Sequence, residues 1–279
     1  MERSKSYVLL FIFLYFFILF LVSGTVIASA PHISTTLNLK INYFFTILIN
    51  SFEKRLSILL DSLDFWNQQR MMHLYEIVVN YNSDSQTLLT KMPKNLTNVR
   101  IFFNNETTMS GRFRAPIFTN AIFNVDDDIR ISGDVIEKSF KVWEKNEDCI
   151  VGFIPRNYVK KKNGDLKYSY LVKNYFSIIL IGASFFHKKY ISIYYSPENE
   201  INLKIVRTLN NCDDLLMNFV ISNFTHHENI WISAKFSHIS KSGQSTLKAH
   251  DEKRHKCMNQ FFWNFGYMPL ILSKNKIIL

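Results

Sequence analysis

The sequence contains no internal repeat, no low-complexity linker and only three cysteines among its 279 residues. The lack of repeats and linkers favours a single domain. The roughly 250 residues that remain after the first thirty are enough for one large domain. The formal net charge is +10, but the basic residues are spread along the chain and no RNA-reading signature accompanies them. This composition argues against nucleic acid as a partner. A polyanionic substrate, a nucleotide diphosphate or an anionic membrane face accounts for the excess charge equally well.

The first thirty residues lack charge beyond residue 5. No acidic or basic residue occurs between Ser6 and Ala30, whereas Arg3 and Lys5 precede this run. A helix of about 20 apolar residues spans a bilayer, and positive charge at its leading end keeps that end cytoplasmic. Residues 1–30 therefore predict the signal-anchor of a single-pass type II membrane protein of the Golgi or endoplasmic reticulum. A signal peptide cleaved after small residues near position 24 or 30 is the alternative.

Sequons and cysteines agree with a lumenal location for the remainder of the chain. The three predicted N-glycosylation sites are Asn95, Asn105 and Asn223. In an oxidising compartment one pair of cysteines can form a disulfide. Cys149 opens an apolar run and is expected to be a buried thiol, so Cys212 and Cys257 are the favoured pair.

Four apolar runs in the first half are typical of buried parallel strands, because they are nearly continuous and rich in β-branched and aromatic residues. They cover residues 43–50, 75–80, 99–103 and 121–125. A helix over residues 51–69 fits the interval of a right-handed βαβ unit. We therefore predict an α/β fold with ligands beyond the carboxyl ends of the strands, which makes Asn50 and Asn80 candidate binding residues.

The second half is less regular and predicts strands over residues 150–155 and 175–181. A helix is expected over residues 215–223, introduced by Asp213 and Asp214. The predicted organisation is an anchor over residues 1–30, a short stem over 31–42, one catalytic domain over 43–272 and a tail over 273–279. An oligomer is compatible with this organisation.

Asp126, Asp127 and Asp128 directly follow the fourth apolar run. Three adjacent carboxylates repel one another unless a cation neutralises them. Oxygen ligands suit Mn²⁺ and Mg²⁺, which also bind nucleotide phosphates. The cluster therefore predicts a metal and nucleotide site, with a solvated acidic turn as the alternative.

Two further groups of charged residues extend this site. Arg112 precedes the acidic strand and can hold a diphosphate with its planar guanidinium. Asp213 and Asp214 either cap the following helix or supply a catalytic carboxylate. His250 and Arg254 are one helical turn apart, and a disulfide between Cys212 and Cys257 would bring Arg254 beside this acidic pair.

Six segments in one order carry a resemblance to a known family. They are Phe-Thr-Ile-Leu-Ile-Asn (45–50), Val-Asp-Asp-Asp-Ile-Arg-Ile-Ser (125–132), Val-Gly-Phe-Ile-Pro-Arg (151–156), Ile-Gly-Ala-Ser-Phe-Phe (181–186), Asn-Cys-Asp-Asp-x-x-Met-Asn-Phe (211–219) and His-x-x-x-Arg-x-x-Cys-x-Asn (250–259). Over residues 43–269 the chain resembles the exostosin-like glycosyltransferase family 64. The resemblance implies a single Rossmann-like GT-A domain that uses Mn²⁺ and a UDP-N-acetylhexosamine or related UDP-sugar. It also implies retention of configuration and a glycan, glycolipid or glycoprotein acceptor.

The resemblance implies roles for the matching residues. On the donor side, Asp128 is implied as the principal metal ligand, Asp126 and Asp127 as ribose and sugar contacts, Arg112 as the diphosphate arginine and Asn50 as a nucleotide contact. At the reacting centre, Asp214 is the implied catalytic carboxylate and Arg254 the catalytic arginine, with Asp213 adjacent. Asn80 and His250 are further UDP-sugar-binding candidates, and Cys212 and Cys257 match the family's disulfide.

Three departures from the family pattern affect the prediction. Lys54 stands where relatives carry an arginine after the first strand and is expected to be a weaker phosphate partner. Residues 80–82 replace a Trp-Asn-Asn sequence, and the loop at residues 171–174 is shortened where the acceptor is expected. The alternative function is therefore a weak or inactive UDP- or glycan-binding partner protein of the same fold. A hydrolase with paired carboxylates fits poorly, because it needs no triple-aspartate metal site.

Overall fold

The computed structural model describes residues 42–83, 87–240 and 249–279. The predicted anchor and residues 31–41 of the predicted stem lie outside these ranges. Within these three ranges, no helix has the length and apolar character needed to span a membrane.

The first half forms the parallel part of a large sheet. Its elements are β1 (Phe45–Ser51), α1 (Leu56–Gln68), β2 (Leu74–Tyr81), α2 (Thr87–Lys91), β3 (Val99–Phe103) and β4 (Ala121–Asp126). All four strands predicted for this half are present within two residues of their expected bounds. The helix begins later than predicted, because a short 3-10 turn, Glu53–Arg55, precedes it.

The second half adds shorter elements around the same sheet. They are β5 (Ile129–Arg130), α3 (Gly133–Trp143), β6 (Val151–Gly152), β7 (Pro155–Lys160), β8 (Leu166–Ser169), β9 (Ile178–Ile179), β10 (Ala183–His187), α4 (Lys189–Tyr194), α5 (Glu200–Leu209), α6 (Asp213–Thr225), β11 (Ile230–Ser233), β12 (Ser237–His238), α7 (His250–Phe265) and β13 (Lys276–Ile278). The helix predicted over 215–223 is therefore present as α6.

The main sheet has eight strands in the order β13-β11-β6-β10-β4-β1-β2-β3. Strand β10 alone runs antiparallel to its two neighbours, β4 and β6, so the described chain has a mixed α/β fold with a mostly parallel sheet. Strands β7, β8 and β9 form a separate three-stranded sheet, and β5 pairs with β12.

Three sequence predictions need correction. The strand expected over 150–155 is divided between β6 and the start of β7, and only residues 178 and 179 of the run 175–181 form a strand. The predicted tail 273–279 contains β13, which pairs with β11 at the edge of the main sheet. The few apolar residues of residues 273–279 did not indicate a strand, because an edge strand buries little surface. Ile278, for example, is 78% exposed.

Apolar side chains alternate between two cores on the opposite faces of the sheet. Leu48 of β1 faces the core built with α6 and α7, whereas Ile47 and Ile49 face the core built with α1 and α3. Burial on both faces explains the continuous apolar runs. Helix α6 is buried on nearly all sides from residue 215 to 222, which fixes the position of the acidic pair at its start.

The chain reverses direction across the sheet between β1 and β4. It passes from β1 through β2 to β3 on one side and returns to β4 on the other side of β1. In open α/β sheets ligands bind at such a switch point, beyond the carboxyl ends of the strands. Asn50 at the end of β1 is in register with Asn80 of β2 and Asp126 of β4, so these three residues form one row at that edge.

Candidate functional site

The carboxyl edge of β1, β2 and β4 brings together the predicted acidic cluster and several buried polar side chains. Asp126 is the last residue of β4, and Asp127 and Asp128 occupy the turn that leads to β5. Asp127 is 3% exposed, whereas the side chain of Asp126 is 41% exposed. The three carboxylates therefore differ in their access to a ligand.

Arg55 holds two of these carboxylates. Its Nη2 atom lies 2.5 Å from Oδ1 of Asp127 and 3.0 Å from Oδ2 of Asp128, and its Nε atom lies 3.0 Å from Oδ2 of Asp127. The Ser51 hydroxyl donates to the same Oδ2 atom of Asp127 at 2.7 Å. Both oxygens of Asp127 are thus engaged within the protein, and its carboxylate orients Arg55.

Arg55, and not Lys54, occupies the position beside the acidic cluster. The 3-10 turn Glu53–Arg55 directs the Arg55 side chain inward, whereas Lys54 is exposed and has no ion pair with these aspartates. The sequence pattern alone did not indicate Arg55, and the role of Lys54 as a phosphate partner stays a prediction.

Arg112 joins the acidic cluster to the acidic pair at the start of α6. It lies on a 3-10 turn, Met109–Phe113, with a side chain that is 9% exposed. Its Nη1 atom is 2.7 Å from Oδ1 of Asp126, and its Nε atom is 2.5 Å from Oδ2 of Asp213. The side-chain oxygen of Asn210 accepts from the amide of Met109 at 2.9 Å, which ties this turn to the segment before α6.

The two aspartates of the pair have different acid strengths. Burial raises the pKa of Asp213 to about 6; the charges of Asp214 and Asp126 add to the rise, and the charge of Arg112 opposes it. Burial alone would also raise the pKa of Asp214, but the charge of Arg254 and its hydrogen bonds outweigh burial and lower it. At neutral pH Asp214 is a carboxylate, and Asp213 changes charge near pH 6.

Arg254 is fixed between a carboxylate and an aromatic ring. It donates two parallel hydrogen bonds to Asp214, at 3.1 Å and 2.9 Å. Its guanidinium carbon lies 4.3 Å from the centroid of the Tyr168 ring on β8. A bidentate pair combined with a cation–π contact leaves this guanidinium little freedom to rotate.

A disulfide between Cys212 and Cys257 holds the two segments that carry Asp214 and Arg254. Cys212 has a left-handed backbone conformation, φ 75°, immediately before α6. His250, the first residue of α7, lies 3.2 Å from the Asn211 amide nitrogen through its Nδ1 atom. This contact places His250 beside the segment that precedes Asp213 and Asp214.

An amide cluster lines the edge of β1, β2 and β3. The Asn80 side-chain amide donates to Asn50 at 2.6 Å, to Asn82 at 3.1 Å and to the Gly111 carbonyl at 3.1 Å. Asn104 donates to the same Gly111 carbonyl at 2.9 Å. The cluster places amide groups directly before the turn that carries Arg112, where a nucleotide base or ribose would find both donors and acceptors.

Gly182, the residue before β10, approaches Asp126 closely. The amide of Asp126 donates to the Gly182 carbonyl at 2.8 Å, and a Cβ atom on residue 182 would collide with the Asp126 carboxylate. A side chain at residue 182 would therefore displace that carboxylate. The antiparallel direction of β10 brings this residue to the carboxyl edge of β4.

The oxygen atoms of the acidic cluster suit a divalent cation that shares its ligands with a phosphate group. No group of three or more His, Cys, Asp or Glu residues in the described part of the chain could hold a metal by itself. Oδ1 of Asp128 accepts no hydrogen bond from the described residues and lies 3.9 Å from His238. Mg²⁺ in nucleotide sites typically uses one or two carboxylates and completes its shell with phosphates and water, which this donor set permits.

Six residues of this candidate site were not predicted from the sequence. They are Ser51, Arg55, Asn82, Asn104, Tyr168 and Gly182. Asn82 and Asn104 follow β2 and β3, so the rule that ligands lie beyond strand ends could have identified them. Tyr168 gave no such signal, because its contact with Arg254 depends on how β8 packs against α7.

The predicted modification sites differ in their surroundings. Asn95 and Asn105 are exposed, whereas Asn223 is half-buried in the last turn of α6 and its side-chain oxygen accepts from the Tyr267 hydroxyl at 2.7 Å. Cys149 is a buried free thiol, and burial raises its pKa to about 12.

Comparison with known proteins identifies relatives over most of the chain. The glycosyl transferase family 64 domain matches residues 45–278. Glycosylinositol phosphorylceramide mannosyl transferase 1 of Arabidopsis thaliana is 30% identical over 254 residues, which cover 84% of this chain and 76% of that protein. Exostosin-like 2 of Homo sapiens is 29% identical over 255 residues, or 82% of this chain and 75% of that protein. Exostosin-1 of Mus musculus is 31% identical over 216 residues, which cover 72% of this chain and 29% of that protein.

Proposed function

Because the chain belongs to glycosyl transferase family 64 and is a glycosyltransferase, we propose that it transfers an N-acetylhexosamine or related sugar from a UDP-sugar with retention of configuration. The observation that carries the proposal is the pairing of five aspartates with three arginines at the carboxyl edge of the sheet. Such a group of buried charges costs folding free energy, so it is expected where chemistry needs it.

The acceptor in this proposal is a glycan, a glycolipid or a glycoprotein. The name of the Arabidopsis relative assigns it mannosyl transfer to a phosphorylceramide glycolipid. A hexose donor and a lipid-linked acceptor therefore lie within the range proposed for this chain. The Cys212–Cys257 disulfide supports a location in the lumen of the Golgi or endoplasmic reticulum, with the N-terminal segment as a membrane anchor.

We assign Mn²⁺ or Mg²⁺ to Asp128, with Asp126 as the neighbouring carboxylate. When bound, the metal would neutralise negative charge on the departing diphosphate. Arg112 lies beside this position with its charge already fixed by Asp126 and Asp213, so it can stabilise the diphosphate without reorganising. Arg55 contributes a second positive charge next to Asp128.

Asp214 is the residue we assign to the reacting sugar. Its lowered pKa keeps it ionised, so it can stabilise the positive charge of an oxocarbenium-like state or attack it as a nucleophile. Arg254 holds the carboxylate through two hydrogen bonds and prevents its rotation. The amide cluster of Asn50, Asn80 and their neighbours is assigned to the nucleoside.

Release of UDP from a panel of UDP-sugars, with and without Mn²⁺, tests the proposal. We expect Mn²⁺-dependent release with one or a few donors, and its loss in the Asp128→Asn variant. Binding of UDP without any release would instead support the partner-protein alternative. Absence of both Mn²⁺ uptake and UDP affinity in the folded wild-type protein would exclude the proposed donor site.

A further inference from the structure

The hairpin of β7 and β8 has two faces of opposite character. Tyr158 is paired with Tyr168 and Lys160 with Leu166, and the buried side chains of Tyr168 and Leu166 face α7. Asn259 of α7 fixes this face by bonding the backbone of Leu166 in both directions, at 2.8 Å each. The inner face of the hairpin is thus a wall of the site, because Tyr168 contacts Arg254.

The outer face and turn of the same hairpin are exposed and strongly basic. Lys167 lies on the outer face, Lys161 and Lys162 lie in the turn, and Lys160, which ends β7 opposite Leu166, is also exposed. Asp165 is the single acidic residue between positions 149 and 197. Asp165 lies in the turn, where its side chain accepts from Asn163 at 2.6 Å, and Asp251 of α7 accepts from the Tyr170 hydroxyl just after β8.

Exposed apolar side chains lie among these lysines. Val159, which pairs with Lys167 on the outer face, is 53% exposed. Tyr175 is 44% exposed; its carbonyl accepts from Asn157 of β7 at 3.2 Å, and the ammonium of Lys274 lies 4.7 Å from its ring. Leu171, between β8 and Tyr175, is 62% exposed.

These side chains define one surface, which we call the lysine hairpin surface. Its members are Val159 and Lys167 on the outer face, Lys160, Lys161 and Lys162 at the turn, and Leu171 and Tyr175 in the segment after β8. Lysines interspersed with exposed aromatic and aliphatic side chains are the pattern of surfaces that lie on anionic membranes, where the ammonium groups meet headgroups and the apolar groups enter the interface. A soluble polyanion would bind the lysines but would make no use of the exposed apolar side chains.

We propose that the lysine hairpin surface docks on the lumenal leaflet of the membrane through the negatively charged headgroups of its lipids. The opposite face of the same two strands contacts Arg254, so docking would place a lipid-borne acceptor beside the site. In this respect the inference rests on the proposed function. Docking itself requires neither the metal nor the donor.

The test uses the full-length chain in nanodiscs, with an environment-sensitive fluorophore on an Asn163→Cys variant. Asn163 is exposed in the hairpin turn, and Cys149 is buried, so the label is site-specific. We expect a blue shift and quenching by headgroup-labelled lipid in discs that contain phosphatidylserine, but not in discs of phosphatidylcholine alone. The response should disappear in high salt, because the lysines are exposed and their charges are screened.

Replacement of Lys160, Lys161 and Lys162 by glutamine should weaken docking about a hundredfold, since each lysine near an anionic leaflet contributes about fivefold. The matched control replaces Lys138, Lys145 and Lys204, three exposed lysines elsewhere, by glutamine and should leave the response unchanged. The Leu171→Ser variant should weaken docking severalfold without changing the charge.

Three results would overturn the proposal. They are an equal response in neutral and anionic discs, an equal loss in the control variant, and a response to heparin with none to anionic lipid. The last would show that the surface binds a polyanionic glycan instead. UDP release in detergent should be the same for both triple variants, so a failure of docking remains distinct from a failure of the proposed transferase activity.

Discussion

Nε of Arg112 lies 2.5 Å from Oδ2 of Asp213, while Nη1 of the same guanidinium lies 2.7 Å from Oδ1 of Asp126. One buried side chain therefore connects the carboxylates after β4 with those at the start of α6. Asp126 and Asp213 are therefore positioned by the same guanidinium, although they are 87 positions apart in the sequence.

We expect Arg112→Gln to lower the free energy of unfolding by about 3–5 kcal/mol, because it leaves buried charges without a partner. Chemical denaturation measures the change. The double variant Arg112→Gln with Asp213→Asn should recover part of the loss, since it removes one of the two uncompensated carboxylates. A single variant within about 0.5 kcal/mol of the wild type would contradict the bridging role.

Asp213 should make stability depend on pH. Its pKa is about 6 in the folded protein against an ordinary value of 3.8, so the native state binds its proton more tightly. The contribution of this group is fully present below pH 4 and is lost as pH rises to 6, by on the order of 3 kcal/mol. Comparison of wild type with Asp213→Asn isolates it: the difference between their unfolding free energies should fall across this window. A difference that stays flat would refute the assignment.

Arg55 and Lys54, which both follow β1, should respond differently to substitution. Arg55→Lys loses the planar guanidinium that contacts both Asp127 and Asp128, so we expect about tenfold weaker UDP binding in Mn²⁺. Lys54→Gln is the matched control and should change neither UDP affinity nor stability by more than about 0.5 kcal/mol. Titration calorimetry would measure both. A larger effect in the Lys54 variant would restore the interpretation made from sequence.

Asp214→Asn should separate donor binding from transfer. The substitution removes the charge held by Arg254 but leaves the acidic cluster and Arg112 unchanged, so UDP affinity should persist while turnover falls at least about a hundredfold. Tyr168→Phe keeps the ring over Arg254 and removes a hydroxyl that interacts with the same guanidinium, so it should have a smaller effect than Asp214→Asn. Equal turnover in Asp214→Asn and the wild type would remove Asp214 from the mechanism.

Gly182→Ala should impair the site through steric contact. The new methyl group displaces the Asp126 carboxylate, and we expect about a tenfold loss of UDP release, comparable to a misplaced group in an active site. Gly164→Ala tests the specificity of the effect: residue 164 has φ 89° but open space around it. That variant should lose about 1 kcal/mol of stability from backbone strain and retain full activity. Similar activity losses in both variants would argue for a general folding defect.

The parts of the fold that the sequence predicted are those with strong local patterns. β1, β2 and β4 are buried on both faces, and their apolar runs end where Asn50, Asn80 and Asp126 begin the site. By contrast, β6 and β9 have only two residues each, too few for a periodic pattern. Arg55 was missed because the direction of a side chain in a short 3-10 turn depends on contacts that sequence spacing does not encode.

The bond between Cys212 and Cys257 closes a ring of chain whose two ends carry Asp214 and Arg254. The spacing of these two residues is therefore held by a covalent link in addition to the packing of α6 and β11, so it does not depend on non-covalent contacts alone.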